Sequence, residues 1–459
     1  MVRPVDRIVV TFEGEGSGTD ELSWGQRDIL MAMQRQRTWI PLGGWNPLPP
    51  GTTVEDIADQ VRYMMSRYQT MRTRLRFDDT GHPTQEVYPG GEIALEVYEA
   101  TDDADADAVA QAVYQKYHDT DYDFVSDWPV RAAVVRRGTA AVRQVTVACH
   151  LFADGIGAQR MMDELAVQDP TPVAGMAPLD QVRWQRSPAG QRQNAAALRY
   201  WESQLRAVPD RHFPLSTWGQ RRLRGAPLNV SVDRREARHW QADFYSPALL
   251  PALRMLTRHA GVDSSSVLLA LYATVLAKLT GVNPVVVRLM VSNRFRPGLA
   301  TIVSMVAQYG ICVLDASGDL DEVARRAQTL AMPTYKHAYY DPARMAELTD
   351  RIEAERGPRF DIPCFFNDRR VASRQDDGGP DPSPDELRGM LSRSEVVWMA
   401  AQDKPYEPLI VHIDDQPDRL KLRAFVDTDF LGPTELEAFL RGLEEVAVEA
   451  AIRAVPAVR

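Results

Sequence analysis

Helix-like and strand-like apolar patterns mix in both halves of the chain, and a stretch rich in proline and glycine, residues 169–191, stands between them as a connector. That arrangement suggests two α/β lobes with a cleft between them. In the first half, Val54, Ile57, Val61, Met64, Met65 and Tyr68 recur at spacings of three and four, predicting a helix entered through a Thr52/Glu55 capping box. Ser23 can cap an earlier helix, and the acidic residues of 101–107 open another where its dipole favours them. Strand-like runs cover 7–12, 129–136 and 141–150; after Asp154-Gly155 a helical pattern resumes through Met161, Met162 and Leu165. In the second half Ser246-Pro247 reads as a helix start, and Asp263 as the cap of a helix apolar nearly all round over 267–279 and ended by Gly281. Strands are expected at 285–291, 302–314, 361–367, 409–413 and 420–426, a mobile loop at 375–384, and a last helix from Pro433.

The chain's 459 residues allow two or three domains, and its net charge of −10 gives no support to a nucleic-acid-binding body. Arginine clusters at 221–224 and 234–238 leave room for local anion patches. No run approaches the ~18 apolar residues that cross a bilayer, and the first ten residues lack an apolar signal core, so a soluble cytoplasmic protein without a membrane partner is expected. Cys149, Cys312 and Cys364 are too few and too far apart for a disulfide framework or a zinc site.

One segment combines groups that can do chemistry: Val147-Ala148-Cys149-His150-Leu151-Phe152-Ala153-Asp154-Gly155. An imidazole exchanges protons near neutral pH, and the end of a buried strand would hold it rigidly. Asp154, if buried, needs a cationic partner, and Gly155 permits a sharp turn and close backbone approach. Spacing alone also fits a structural histidine. One His and one Asp are too few for a metal site. Cys149 shares its strand face with Val145 and Val147, which makes it a core filler rather than a nucleophile. No G-x-S-x-G elbow is present; Asp263-Ser264-Ser265-Ser266 reads as capping.

His150-x-x-x-Asp154-Gly155, after a strand and before a helix, resembles the active-site motif of nonribosomal peptide synthetase condensation domains, members of the chloramphenicol acetyltransferase-like acyltransferase superfamily. Other segments resemble the family's motifs in order: Leu22-Ser23-Trp24-Gly25-Gln26-Arg27; Ser66 to Leu75, with Tyr68 for His and Met71 for Leu; Asp180 to Gln185 and Tyr200-Trp201-Glu202; Val291-Ser292-Asn293-Arg294; and 303–314, with Gln308 for Asn. The family's first motif histidine is Cys149 here, and the second, the one associated with catalysis, is His150.

The resemblance implies two acetyltransferase-like lobes in a V with a tunnel between them, divided here as 1–175, a connector at 176–200, and 201–459. It implies a free-standing condensation enzyme that moves an acyl or aminoacyl group from a phosphopantetheine-linked carrier-protein thioester to a small amine or alcohol acceptor. No permanently bound cofactor and no metal are expected. His150 would orient or deprotonate the acceptor, Gly155 would offer its N–H to the oxyanion, Asp154 would pair with Arg294 in a structural role, and Ser292 and Gln308 would lie along the substrate channel. A coenzyme A-dependent O-acyltransferase and a catalytically silent carrier-docking module remain as alternatives.

Overall fold

The computed structural model describes residues 2–168, 171–209, 213–224, 237–357, 362–370, 381–403 and 406–454. The chain divides into two compact units, Met1–Gln193 with Ser292–Gln308, and Asn194–Val291 with Tyr309–Arg459. The segment Ser292–Gln308, expected within a lobe spanning 201–459, thus belongs to the first unit.

The first unit runs β1 (Asp6–Glu13), β2 (Gly18–Glu21), α1 (Trp24–Gln36), β3 (Pro41–Pro47), α2 (Val54–Arg67), β4 (Thr73–Phe77), β5 (Pro83–Val87), β6 (Gly90–Glu99), α3 (Asp103–Asp119), β7 (Val130–Arg137), β8 (Ala140–Cys149), α4 (Gly155–Val167) and α5 (Pro178–Arg186); α6 (Pro188–Ala207) leads out of it. Its main sheet has the order β1-β6-β7-β8-β3 and is antiparallel except between β6 and β7; β2-β5-β4 form a small second sheet. The apolar stripe of α2 (Ile57, Val61, Met64, Met65) and that of α3 (Ala106, Ala110, Val113) share one core with Val97, Val134, Val145 and Val147.

The second unit continues through α7 (Thr217–Leu223), β9 (His239–Ser246), α8 (Leu249–Ala260), α9 (Ser264–Thr280), β10 (Val285–Val291), β11 (Gln308–Leu314), α10 (Leu320–Lys336), α11 (Pro342–Arg356), β12 (Cys364–Asp368), α12 (Pro384–Leu391), β13 (Glu395–Gln402), β14 (Leu409–Asp415), β15 (Leu420–Asp427) and α13 (Pro433–Ala454). Its sheet has the order β11-β10-β12-β14-β15-β9-β13. One face, with Val287, Phe366, Val411, Leu422 and Phe244, is buried against α8, α9 and α13. At the β10–β11 end the other face, with Val286 and Ile311, packs on α6 and α11 through Trp201, Leu348 and Ile352. Helix α9 is buried from Val267 to Leu276, capped by Asp263 and ended by Gly281 at φ 70°.

Several local expectations need correction. The capping box of α2 is Thr53/Asp56, one residue later than Thr52/Glu55. Ser246 closes β9 and Ala248 precedes α8, although the Ser246 hydroxyl still accepts from the Leu249 N–H at 2.9 Å. The connector is largely helical, since α5 and α6 start on Pro178 and Pro188, each in the first turn where a missing N–H is tolerated. The expected strand 302–314 exists only from Gln308 on. Residues 169–170, 234–236, 361 and 375–380 of the expected features lie outside the described residues. Among the described residues no single helix is long and apolar enough to cross a membrane.

Candidate active site

Strand β8 ends at Cys149, whose N–H is anchored on the Pro129 carbonyl at 2.8 Å. Alternation then decides which side chain goes where. Cys149 is fully buried, with its thiol 3.7 Å from the Trp39 carbonyl, and burial pushes that thiol up to about 12. At neutral pH it is an inert SH.

His150 follows at the turn and is partly exposed. Its Nδ1 is shut from solvent without a hydrogen-bond partner, which leaves Nε2 as the nitrogen able to exchange a proton. Burial lowers the imidazole's pKa; the Asp154 carboxylate and nearby backbone groups of His150 and Ala153 oppose this without overcoming it. The ring is therefore neutral at pH 7 and can accept a proton.

Asp154 caps α4, accepting from the Gly157 N–H at 2.8 Å, and is 3% exposed. Arg294 grips both its oxygens, Nη1 to Oδ2 and Nη2 to Oδ1, each at 2.7 Å. The N–H groups of Val306 and Ala307 add contacts to Oδ2 at 3.2 and 3.1 Å. One carboxylate thereby gathers a helix start, a guanidinium and the buried segment 302–307. This explains the missing strand: the segment's polar backbone is met by side chains instead of a ladder. Arg294 Nη2 donates to the Ile302 carbonyl at 3.1 Å, the Thr70 hydroxyl to Val303 O at 3.1 Å, and Asn293 Nδ2 to Val306 O at 3.0 Å.

The two glycines of the motif differ. Gly155 is exposed at the first position of α4, its φ is not left-handed, and a Cβ there would meet nothing within 4 Å. A sharp turn does not require it. Its N–H is one of those that no carbonyl within the helix can reach. A Cβ on Gly157, in contrast, would lie 3.1 Å from Arg294 Nη2 and 3.3 Å from Asp154 Oδ1 and Ser304 N, close enough to press on the ion pair. Sequence reasoning passed over Gly157, although Asp-Gly-x-Gly at a helix start was the available signal. It also gave no weight to the buried Asn293, whose φ of 58° suits an asparagine better than most residues.

Ser292 is partly buried beside this turn, with its hydroxyl 3.5 Å from the Arg294 N–H, and Gln308 is buried at the start of β11. The Ser-x-x-Gln motif is a capping box, Ser23 with Gln26, at the head of α1. Tyr68, standing where the family has His, donates to Glu164, which also pairs with Arg67 at 2.9 Å. Burial and that carboxylate raise the phenol, keeping it protonated. A cavity of about 380 Å³ adjoins Arg67, Tyr68, Thr70, Met176 and Val303 and does not include His150. Among the described residues no three His, Cys, Asp or Glu side chains are grouped to hold a metal ion.

The fold has many solved relatives. The condensation domain of the monacolin K polyketide synthase MokA superposes with a TM-score of 0.71 at 16% identity, covering 95% of this chain and 98% of that one. VibH, described as an NRPS condensation enzyme, gives 0.63 at 14% identity over 93% and 95%. The X-domain from teicoplanin biosynthesis gives 0.67 at 15% identity over 94% of each chain. The architecture is the mixed α/β, chloramphenicol acetyltransferase-like one. Within it, the condensation domain family's model matches residues 48–396, and the chain belongs to that family. It is 25% identical over 374 residues to the isonitrile lipopeptide synthase of Mycobacterium tuberculosis, and 24% identical over 258 residues to the cyclosporin synthetase of Tolypocladium inflatum. These alignments take in 76% and 54% of this chain but only 14% and 2% of those proteins.

Proposed function

We propose that the chain is an acyltransferase that joins an acyl or aminoacyl group, delivered as a phosphopantetheine thioester on a carrier protein, to a small amine or alcohol, with His150 at the reacting atoms. The observation that carries this reading is the neutral, partly exposed imidazole, with one nitrogen sealed and the other left to exchange a proton, in a chain of the condensation domain family. Nε2 takes the proton from the acceptor N–H or O–H as the acceptor attacks the thioester carbonyl carbon. The tetrahedral oxyanion collapses, the C–S bond breaks, and the departing thiolate recovers the proton from the imidazolium. The Gly155 N–H, free of a carbonyl within its own helix, is the proposed oxyanion donor. Ser292 and Gln308 are proposed to line the substrate channel. Alignment of the two substrates supplies as much as ~7–11 kcal/mol, and proton transfer a further factor of about 10²–10⁴.

Mass spectrometry of the full chain with an acyl-loaded carrier protein and a panel of amines and alcohols tests this. Product that depends on the carrier-bound donor, and that His150→Ala reduces at least about 100-fold with unchanged melting, supports it. Product from acyl-coenzyme A alone makes the chain a coenzyme A-dependent O-acyltransferase. Tight carrier binding without product, unaltered by His150→Ala, makes it a docking module. The Cys149 replacement does not favour that last reading, since the thiol faces the core.

A further inference from the structure

Four of the described residues other than glycine have a left-handed φ: Arg37 at 51°, Ile40 at 46°, Gln168 at 46° and Asn293 at 58°. Arg37 and Gln168 close helices α1 and α4, where that conformation is ordinary, and an asparagine tolerates it. Ile40 has neither reason. A β-branched residue is an outlier there, at a cost of about 1–2 kcal/mol.

The turn that holds Ile40 is firmly built. The Thr38 N–H donates to the Met33 carbonyl at 3.1 Å, and the Ile40 N–H to the Thr38 hydroxyl at 3.2 Å. Trp39 is buried, stacked on Tyr122 with ring centroids 5.3 Å apart, and the Arg131 guanidinium lies over its ring at 5.1 Å. These contacts account for the turn but not for isoleucine, since glycine or asparagine would follow the same path without strain. The side chain itself is half-buried, packed in part on the core of the first unit.

Register says what lies next to it. Strand β3 pairs with β8 antiparallel, and the outermost pair at this end is Pro41 with Cys149. The Cys149 thiol is 3.7 Å from the Trp39 carbonyl, so the chain just before β3 stays close to the end of β8. One residue beyond the last pair, the two chains carry Ile40 and His150, both within the first unit. Strained backbone of this kind persists where its surroundings over-determine it, and it gathers at reacting centres.

Resting on the acyltransferase reading above, we infer that Ile40 is a specificity-determining residue, forming the β3-side wall beside the His150 imidazole. In that reading Nε2 takes the proton from the attacking atom of the acceptor. A wall beside the ring then meets the carbon that bears this atom, and it selects acceptors unbranched at that carbon.

The first test needs no turnover. The full chain is prepared deuterated, with protons kept on isoleucine δ methyls and histidine rings. Its NMR spectrum should show a cross-peak between the Ile40 methyl and the His150 ring, lost in both Ile40→Val and His150→Gln. Absence of that cross-peak overturns the inference. The second test compares kcat/KM for n-butylamine against sec-butylamine, and for 1-butanol against 2-butanol, with the same carrier-bound donor. The preference for the unbranched member should fall about 10-fold or more in Ile40→Ala and Ile40→Gly, as one methyl in a close pocket warrants, and persist in Ile40→Val. Ile40→Gly suits the backbone and keeps the comparison valid if Ile40→Ala unfolds. A cross-peak with unchanged preferences overturns the selective role. A cross-peak with no product from any acceptor leaves the wall in place and removes the acyltransferase reading.

Discussion

Replacing Asp154 by alanine removes more than an ion pair. The carboxylate is 3% exposed, and the side chain of its partner Arg294 is 9% exposed, so neither can be rehydrated without opening the fold. Five contacts go at once: two from Arg294 at 2.7 Å, and the N–H groups of Gly157, Val306 and Ala307 at 2.8, 3.2 and 3.1 Å. Stranding one partner of a buried pair costs about 3–5 kcal/mol. The lost amide bonds belong to the same network and are contained in that figure rather than added to it. For a unit of roughly 200 residues, each kcal/mol moves Tm by about 2–4 °C, so Asp154→Ala should melt about 6–20 °C below wild type. Asp154→Ala with Arg294→Met removes both charges and should recover part of the loss, since the stranded guanidinium is gone. Calorimetry and urea unfolding at pH 7.5 measure both. A single variant that melts within about 2 °C of wild type, or a double variant that loses the sum of the two singles, would refute the reasoning.

The remaining expectations are separable. Because burial lowers the His150 pKa below its ordinary 6.5, kcat/KM should be level at neutral pH and fall on an acid limb with its midpoint below that value; a midpoint above 7 contradicts the assigned environment. By the same shift the unfolded chain takes the proton first, so the histidine's contribution to stability is complete above about 6.5 and is lost as the pH drops, and His150→Gln should flatten that slope. Gly157→Ala should lower Tm by crowding Arg294 and Asp154, whereas Gly155→Ala adds a methyl that meets nothing and should leave Tm within about 2 °C while slowing turnover if substrate passes over it. Burial opposes the charge on Glu96, but hydrogen bonds from Lys116 at 2.8 Å, Tyr98 at 2.6 Å and Tyr117 at 3.0 Å outweigh it and hold its pKa at about 2 against an ordinary 4.5. A shift of that size is worth about 3 kcal/mol as an upper bound, present above pH 4.5 and lost as the pH falls toward 2, and Glu96→Gln should remove that acid slope.

What was legible in the sequence follows from how local each signal is. Strand β10 has the expected bounds because its apolar run is short and ends at a polar turn, and α9 because Asp263 and Gly281 mark both ends. Strand β3, Pro-Leu-Gly-Gly-Trp-Asn-Pro, went unread because its composition looks like a loop. It survives as an edge strand, where prolines cost no ladder bond, and Gly43, at φ 138°, lies so close to β8 that a Cβ would sit 2.0 Å from the Thr146 carbonyl. The segment 302–307 was mistaken for strand because burial, not pairing, makes it apolar. In the site, Asp154 and His150 could be found together because four residues separate them. Arg294 lies 140 residues further on and was reachable only through family resemblance.

The exchange of the family's first histidine for Cys149 also has a physical reading. Neighbouring strand residues face opposite ways, so position 149 belongs to the packing of the first unit and position 150 to its surface. A buried histidine at 149 would need partners for two ring nitrogens, whereas a neutral thiol needs at most the Trp39 carbonyl. What position 150 does require is a fixed backbone. That comes from both sides: the Cys149 N–H is bound to Pro129, Asp154 is locked at the head of α4, and Leu151, Phe152 and Ala153 between them are at most 2% exposed. Shifting the backbone that carries the imidazole would mean expelling Leu151 or Phe152 from the core, at a cost of roughly 1.5–3 kcal/mol for each side chain. The backbone from 150 to 154 is therefore fixed by hydrogen bonds at both ends and by packing between them, and a cysteine at 149 leaves it undisturbed.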